Sequence, residues 1–250
     1  MKRYRRENEQ SYTLGATLTY ELLHYKIESV EGVYLHSKCI KNEAYDRICR
    51  ICQEHGIPIT YNDKVFHILD AKENCFIIGE FRKYESRICE DENHILLVNP
   101  SDSGNAGTIM RSALGFGIKN MALILPAVDI FSPKTIRASM GAIFGLEIEY
   151  FQSITQYQER FPQQHNYPFM LDAKKELRET HFQEPYTLIF GNEATGLPKD
   201  YQELGESVII AHEHTIDSLN LPIAASIAMY VAASKGKIKL LEEGTECHCN

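Results

Sequence analysis

Three short polar clusters in this 250-residue chain carry residue types that could hold a ligand and act on it. The first is Asn105, Gly107 and Arg111, inside residues 95–117 (ILLVNPSDSGNAGTIMRSALGFG). The second is Gly191, Asn192 and Glu193, with Gly196, inside residues 186–198 (YTLIFGNEATGLP). The third is Ser218 and Asn220, inside residues 216–230 (IDSLNLPIAASIAMY). Together they offer a cation, a carboxylate, amides and a hydroxyl. A glycine at the end of a buried strand lets a ligand approach the backbone. Arg111 lies one helical turn after Gly107, so its guanidinium can return to the mouth of the loop. Gly191 and Gly196 have the spacing of a phosphate loop, but Leu197-Pro198 stands where lysine and Ser/Thr would be needed, which argues against a nucleoside triphosphate. Taken singly, each cluster has a plainer reading: an arginine on a solvated helix face, a β-turn, and a Ser/Asn helix cap.

The elements that must position these clusters follow from apolar patterning. Residues 95–117 begin as a continuous apolar run, pass through a polar turn and become helical, with Ile109, Ala113 and Phe116 on one side and Thr108, Arg111 and Ser112 towards the other. The turn therefore sits at the carboxyl end of a strand, where open α/β sheets bind ligands, and Asn105 is the expected N-cap. Later strands are expected at 121–125, 146–151, 168–171, 186–190 and 207–211. Helices are expected from Ser132-Pro133 (N-cap and N1) to about Phe144, over 154–161, and from Asn220 to Lys235. The last is apolar nearly all round and so is expected to be buried on every side, against a second subunit if necessary. Strands alternating with helices predict a mostly parallel sheet with helices on both faces. Ahead of it, helices near 19–24 and 42–55 and strands at 32–35, near Ile59 and at 74–81 predict a small α/β layer. The charged stretch 82–93 has no apolar periodicity and is the expected linker, giving units of 1–90 and 94–250.

With 44% apolar residues the chain can bury a real core. Its formal charge of −8 excludes a generally basic nucleic-acid binder, yet 14 of the 26 Lys+Arg fall in the first 90 residues, opposite 14 of the 34 Asp+Glu. That third is the less repulsive surface for a phosphate backbone. The basic amino terminus is followed by no apolar signal core, and no apolar run approaches membrane-spanning length, so cytoplasmic residence without a membrane partner is expected. Seven cysteines fit reduced thiols better than a disulfide framework. Cys49-Arg50-Ile51-Cys52 and Cys247-His248-Cys249 could suggest zinc, but helical spacing puts Cys52 with Ile48 on a core face, and no metal is expected. Gly115-Phe116-Gly117 is too short for a dinucleotide fingerprint, which weakens an oxidoreductase reading.

In this order and at these separations, the three clusters resemble the signature motifs of the SpoU (TrmH) family of RNA ribose 2′-O-methyltransferases, of the SPOUT class. Asn105, Gly107, Arg111 and Ala113 match the first motif, residues 190–197 the second, and Ser218 to Asn220 the third; residues 137–144 (RASMGAIF) are similar to the intervening helix. The resemblance covers roughly residues 94–236. Residues 11–82 more loosely resemble the small ribosomal-protein-like RNA-binding domain that often precedes this catalytic domain. The resemblance implies a carboxy-terminal trefoil knot, S-adenosylmethionine as cofactor, an RNA substrate, ribosomal ahead of transfer RNA, and a homodimer. It implies cofactor contacts from Phe190, Gly191, Asn192, Gly196, Ile210, Ala211, His212 and Leu219. Asn105, Arg111, Glu193, Ser218 and Asn220 would line the reacting side.

Guanidinium keeps its proton to a pKa above about 12, so Arg111 is better suited to hold the substrate phosphate and lower the 2′-hydroxyl pKa than to act as a base. The chain departs from the family pattern at Ala211-His212, His214-Thr215 and Pro222, around the expected cofactor loop. These departures leave a competing reading: an RNA-binding or ribosome-assembly factor that keeps the fold without catalysis.

Overall fold

The computed structural model describes residues 3–213 and 215–235. The amino-terminal part contains β1 (Gln10–Leu14), α1 (Ala16–Tyr25), β2 (Val30–Leu35), α2 (Glu43–Glu54), β3 (Ile59–Tyr61), α3 (Asp63–Ile68) and β4 (Ile77–Arg82). Its sheet has the order β1-β4-β2-β3, antiparallel except for the β2–β3 pair. α2 forms where helical spacing predicts it: the Asn42 side chain accepts from the Tyr45 N–H at 3.0 Å, and Ile48 and Cys52 are buried on one face. β1 and α3 were not expected. β1 gives only weak apolar alternation because Ser11 and Thr13 are buried and bonded, Thr13 Oγ1 accepting from the Gly79 N–H at 3.0 Å.

The larger part contains β5 (His94–Val98), α4 (Ser103–Gly115), β6 (Asn120–Ile124), α5 (Pro133–Ala138), β7 (Glu147–Phe151), α6 (Ile154–Arg160), β8 (His165–Pro168), β9 (Lys175–Glu176), β10 (Tyr186–Phe190), β11 (Val208–Ile209) and α7 (Leu221–Lys235). Five strands form an all-parallel sheet of order β7-β6-β5-β10-β8, as the continuous apolar runs predict. Alternation divides the side chains between two cores. Ile95, Leu97, Leu188 and Phe190 join residues of α4, α5 and α7, while Leu96, Val98 and Ile189 join Tyr157 and Phe161. Leu18, Leu22 and Phe81 of the amino-terminal part enter the first core, so the two sheets share apolar packing. The charged stretch after β4 has no regular element but is tied along the sheet: Ser86 Oγ donates to the Ile148 carbonyl at 2.9 Å and the Cys89 N–H donates to Asn120 Oδ1 at 2.9 Å.

Four expectations need correction. The N-cap of α4 is Asp102, whose carboxylate accepts from the Asn105 N–H at 2.8 Å; the helix therefore starts ahead of Asn105. α5 stops at Ala138 rather than near Phe144, with Met140 (φ 53°) and Gly141 (φ 85°) left-handed before a 3₁₀ turn at Ala142–Gly145. A side chain on Gly141 would meet Glu21 of α1 at 2.8 Å, so this left-handed turn also needs glycine for its close approach to the amino-terminal helix. The strand expected at 168–171 is β8, shifted to His165–Pro168. That expected at 207–211 shrinks to β11, which pairs with β9 outside the main sheet.

A buried polar chain closes the amino ends of the strands. His94, fully buried, lies 2.7 Å from the Cys89 carbonyl through Nε2 and 2.6 Å from the Tyr157 hydroxyl through Nδ1; Tyr157 also meets Thr187 Oγ1 at 2.7 Å. Burial pushes the His94 pKa from its ordinary 6.5 down to about 4. The unfolded chain therefore takes up this proton first as pH falls, and the folded state loses stability between about pH 6.5 and 4, by up to about 3 kcal/mol. Denaturation midpoints measured across that window should fall more steeply for the native chain than for His94→Gln; parallel slopes would contradict this assignment.

Candidate functional site

Asn105 near the start of α4, the loops after β8 and β10, and β11 with the segment that leads from it into α7 enclose a cleft of about 440 Å³. Its floor is apolar, with Phe190 stacked on Phe169 at 4.6 Å between ring centroids. The β10 loop is a tight turn. The Gly196 N–H donates to the Asn192 carbonyl at 2.9 Å, the Ala194 N–H donates to Asn192 Oδ1 at 2.9 Å, and Gly196 is left-handed at φ 67°. A Cβ on Gly191 would lie 2.2 Å from the Gly196 carbonyl carbon and 2.4 Å from the Leu197 nitrogen. Glycine is therefore required at 191 by the loop's own backbone as well as by any ligand.

Glu193 joins this turn to α4. Its carboxylate accepts from Asn105 Nδ2 at 3.3 Å and from the Asp102 N–H at 3.4 Å through Oε1, and from Ser101 Oγ at 3.1 Å through Oε2. The negative charge thus lies at the positive end of a 13-residue helix, a favourable place for it. On the other side, His212 Nδ1 donates to the Ile210 carbonyl at 2.9 Å, which leaves Nε2 as the ring's free acceptor when neutral.

All three clusters meet here. Asn105 comes from the first; Phe190, Gly191, Asn192, Glu193 and Gly196 from the second; Ser218, Leu219 and Asn220 from the third, joined by Ile210 and His212. Two expected residues are not in the cleft wall. Ala211 is exposed between Ile210 and His212, and Arg111 is exposed on α4. Arg111 follows Asn105 by six residues, or 240° beyond a full turn, so the two cannot face the same way on one helix. Phe169, Met170 and Leu171 line the cleft unannounced. They read as strand interior in the sequence, whereas β8 ends at Pro168 and releases them as its carboxyl-end loop.

Within the single chain, α7 is covered on one side only. Ala225, Ala228, Met229 and Ala232 are buried, and Ser226 meets Ser112 of α4 at 2.8 Å, but Ile223, Ile227 and Tyr230 are 54%, 38% and 57% exposed. One apolar face of this helix is bare within the single chain. Among the described residues no group of His, Cys, Asp and Glu could hold a metal ion, and no helix is long and apolar enough to cross a membrane. Cys247-His248-Cys249 and His214 lie outside the described residues.

Similarity to known proteins agrees with the meeting of the three clusters. An uncharacterized tRNA/rRNA methyltransferase of Synechocystis is 34% identical over 144 residues, 55% of this chain and 52% of that protein. The 23S rRNA (uridine(2479)-2′-O)-methyltransferase of Streptomyces viridochromogenes is 28% identical over 151 residues, 57% of this chain and 53% of that one. The chain thus spans about half the length of these curated relatives. The AdoMet-bound rRNA methyltransferase of Sinorhizobium meliloti shares the fold, with a TM-score of 0.78 at 23% identity, over 93% of this chain and 90% of that one. Residues 92–230, more than half of the chain and all three clusters, match the SpoU rRNA Methylase family, and the chain belongs to it.

Proposed function

We propose that this protein transfers a methyl group from S-adenosylmethionine to a ribose 2′-hydroxyl of RNA, ribosomal RNA ahead of transfer RNA. The observation that carries this reading is the convergence of Asn105, Glu193, Ser218 and Asn220, from three distant stretches, on one cleft. Its 440 Å³ is within the roughly 300–1,000 Å³ of small-molecule sites, and it combines an apolar floor with a rim of amides and a hydroxyl, as an adenosyl and amino-acid ligand requires. S-adenosylmethionine supplies a methyl group already activated on a sulfonium. Phe190, Gly191, Asn192 and Gly196 would hold it from one side, and Ile210, Ala211, His212 and Leu219 from the other, Ala211 through its backbone.

The chain's own task is to align a weak nucleophile and draw off its proton. Ser218 and Asn220 would orient the ribose, and Glu193 would keep Asn105 and the β10 turn in register. Arg111 would hold the substrate phosphate and lower the hydroxyl pKa, the proton passing to that phosphate or to water while S-adenosylhomocysteine leaves as the thioether. By likeness to the family, the larger domain, taken as 94–250, would be tied in a carboxy-terminal trefoil knot, with α7 packed on α4 and β10. Residues 1–90, with their less acidic balance, would form the RNA-binding domain, joined by a linker to about residue 93. The absence of a spanning helix among the described residues and the free thiols of Cys39, Cys49, Cys52, Cys75 and Cys89 are compatible with a cytoplasmic protein.

The bare face of α7 supports a homodimer. Ser112, beside Arg111, bonds Ser226 of α7, so a second copy seated on Ile223, Ile227 and Tyr230 would lie next to the arginine and complete a site drawing on both subunits. Ile227→Glu should then halve the mass measured by sedimentation at micromolar concentration and abolish transfer; an unchanged mass would remove this interface. Calorimetry with S-adenosylmethionine and transfer of labelled methyl to ribosomal RNA and transfer RNA test the whole reading. Binding together with ribose-located label is expected. The altered loop around Ala211 favours the competing RNA-binding factor, and absence of binding at millimolar ligand would decide for it.

A further inference from the structure

Asn99 follows β5 directly in a left-handed conformation, φ 50°, that few residues other than glycine and asparagine adopt readily, and it is bonded in three directions. Its N–H donates to the Ile124 carbonyl at 3.1 Å. Its side-chain amide donates to the Leu125 carbonyl at 2.7 Å and the Ile124 carbonyl at 3.4 Å, at the end of β6. Its own carbonyl accepts from Asn192 Nδ2 at 2.7 Å, in the turn that follows β10. The neighbouring Pro100 carbonyl accepts from the Val128 N–H at 2.9 Å, fastening the loop beyond β6. One residue thus ties together the carboxyl ends of three adjacent strands without itself lining the cleft.

We infer that Asn99 is a positioning residue that sets the Asn192-Glu193 turn, and so the cleft wall and the Glu193 carboxylate, through its carbonyl contact with Asn192. This rests on the cleft being the cofactor site. The left-handed backbone turns the Asn99 carbonyl towards Asn192, and the side-chain amide, held by two β6 carbonyls, keeps the backbone there. Asn192 spends its amide N–H groups on the Asn99 carbonyl at 2.7 Å and on Ser101 Oγ at a longer 3.4 Å, and its amide oxygen accepts from the Ala194 N–H, so the Asn99 carbonyl is the stronger of the two acceptors that hold this side chain.

The test is a double-mutant cycle read by calorimetry with S-adenosylmethionine on the full chain, with thermal midpoints recorded beside it. Asn99→Gly keeps the backbone conformation but loses the amide; Asn99→Asp keeps the shape and left-handed tolerance but sets a carboxylate against two carbonyls. Both should raise the dissociation constant about 5- to 20-fold, the loss of one or two hydrogen bonds, with midpoints near that of the native chain. Asn99→Gly combined with Asn192→Ala should bind no more weakly than Asn192→Ala alone, because the two act through one contact. Native-like affinity in both single variants overturns the inference, as does multiplication of the two effects. Loss of folding in both variants also overturns it, since Asn99 would then hold the sheet rather than the turn. If the native chain itself does not bind the ligand, the cofactor reading fails, and that result is distinct from all of these.

Discussion

Gly191→Ala is expected to weaken S-adenosylmethionine binding at least about 100-fold, near 3 kcal/mol, with a smaller loss of thermal stability. The added Cβ has nowhere to go: it would lie 2.2 Å from one backbone atom of Gly196 and 2.4 Å from two others, the Gly196 oxygen and the Leu197 nitrogen. Backbone cannot swing aside as a long side chain can, so the turn between Asn192 and Gly196 must open, and the cleft wall opens with it. Two other glycines make the control. Gly196 has open space around its Cβ position but a φ of 67°, so Gly196→Ala should cost only the left-handed penalty of about 1–2 kcal/mol. Gly115, at the end of α4, has neither constraint and should accept alanine with no loss. Calorimetry on the three variants gives the ranking; a Gly191→Ala variant that binds like the native chain would show that the turn does not shape the cofactor site.

Arg111→Ala is expected to lower turnover by roughly 10²–10³-fold while leaving cofactor affinity within about twofold. The size is that of removing one preorganised charge from a developing oxyanion. The separation of the two effects follows from geometry, because Arg111 is exposed on α4 and outside the cleft wall. As an exposed residue its loss should change folding stability by no more than about 0.5 kcal/mol, so lost turnover could not be blamed on unfolding. Single-turnover transfer assays with saturating cofactor read the first quantity and calorimetry the second. A fully active Arg111→Ala variant would take this residue out of the reaction.

Much of the larger unit was legible in the sequence because its strands are buried on both faces. Such strands appear as unbroken apolar runs, and residues 186–190 were placed to the residue on that basis. The three polar clusters were legible because each interrupts an apolar run where a strand must end. Boundaries set by contacts were not. α5 looks helical to Phe144, but Met140 and Gly141 turn left-handed, and Gly141 packs against Glu21, more than a hundred residues earlier in the chain. Asn105 looks like a cap but stands three positions after the true one, Asp102, whose side chain accepts from its N–H. The strand at 168–171 was displaced for a similar reason: β8 follows its pairing with β10, which ends at Pro168.

Apolar periodicity, read without coordinates, determined the parallel sheet and the face of α2 that is buried, since local spacing fixes which side chains share a strand or helix face. Tertiary structure alone decided that Glu193 rests on Asn105, that Asn99 ties three strand ends together, that α7 keeps one apolar face bare, and that Arg111 stands outside the cleft of its own chain. Those facts depend on how loops far apart in sequence meet and on rotation about helix axes relative to distant partners, and neither is encoded in any one stretch of residues.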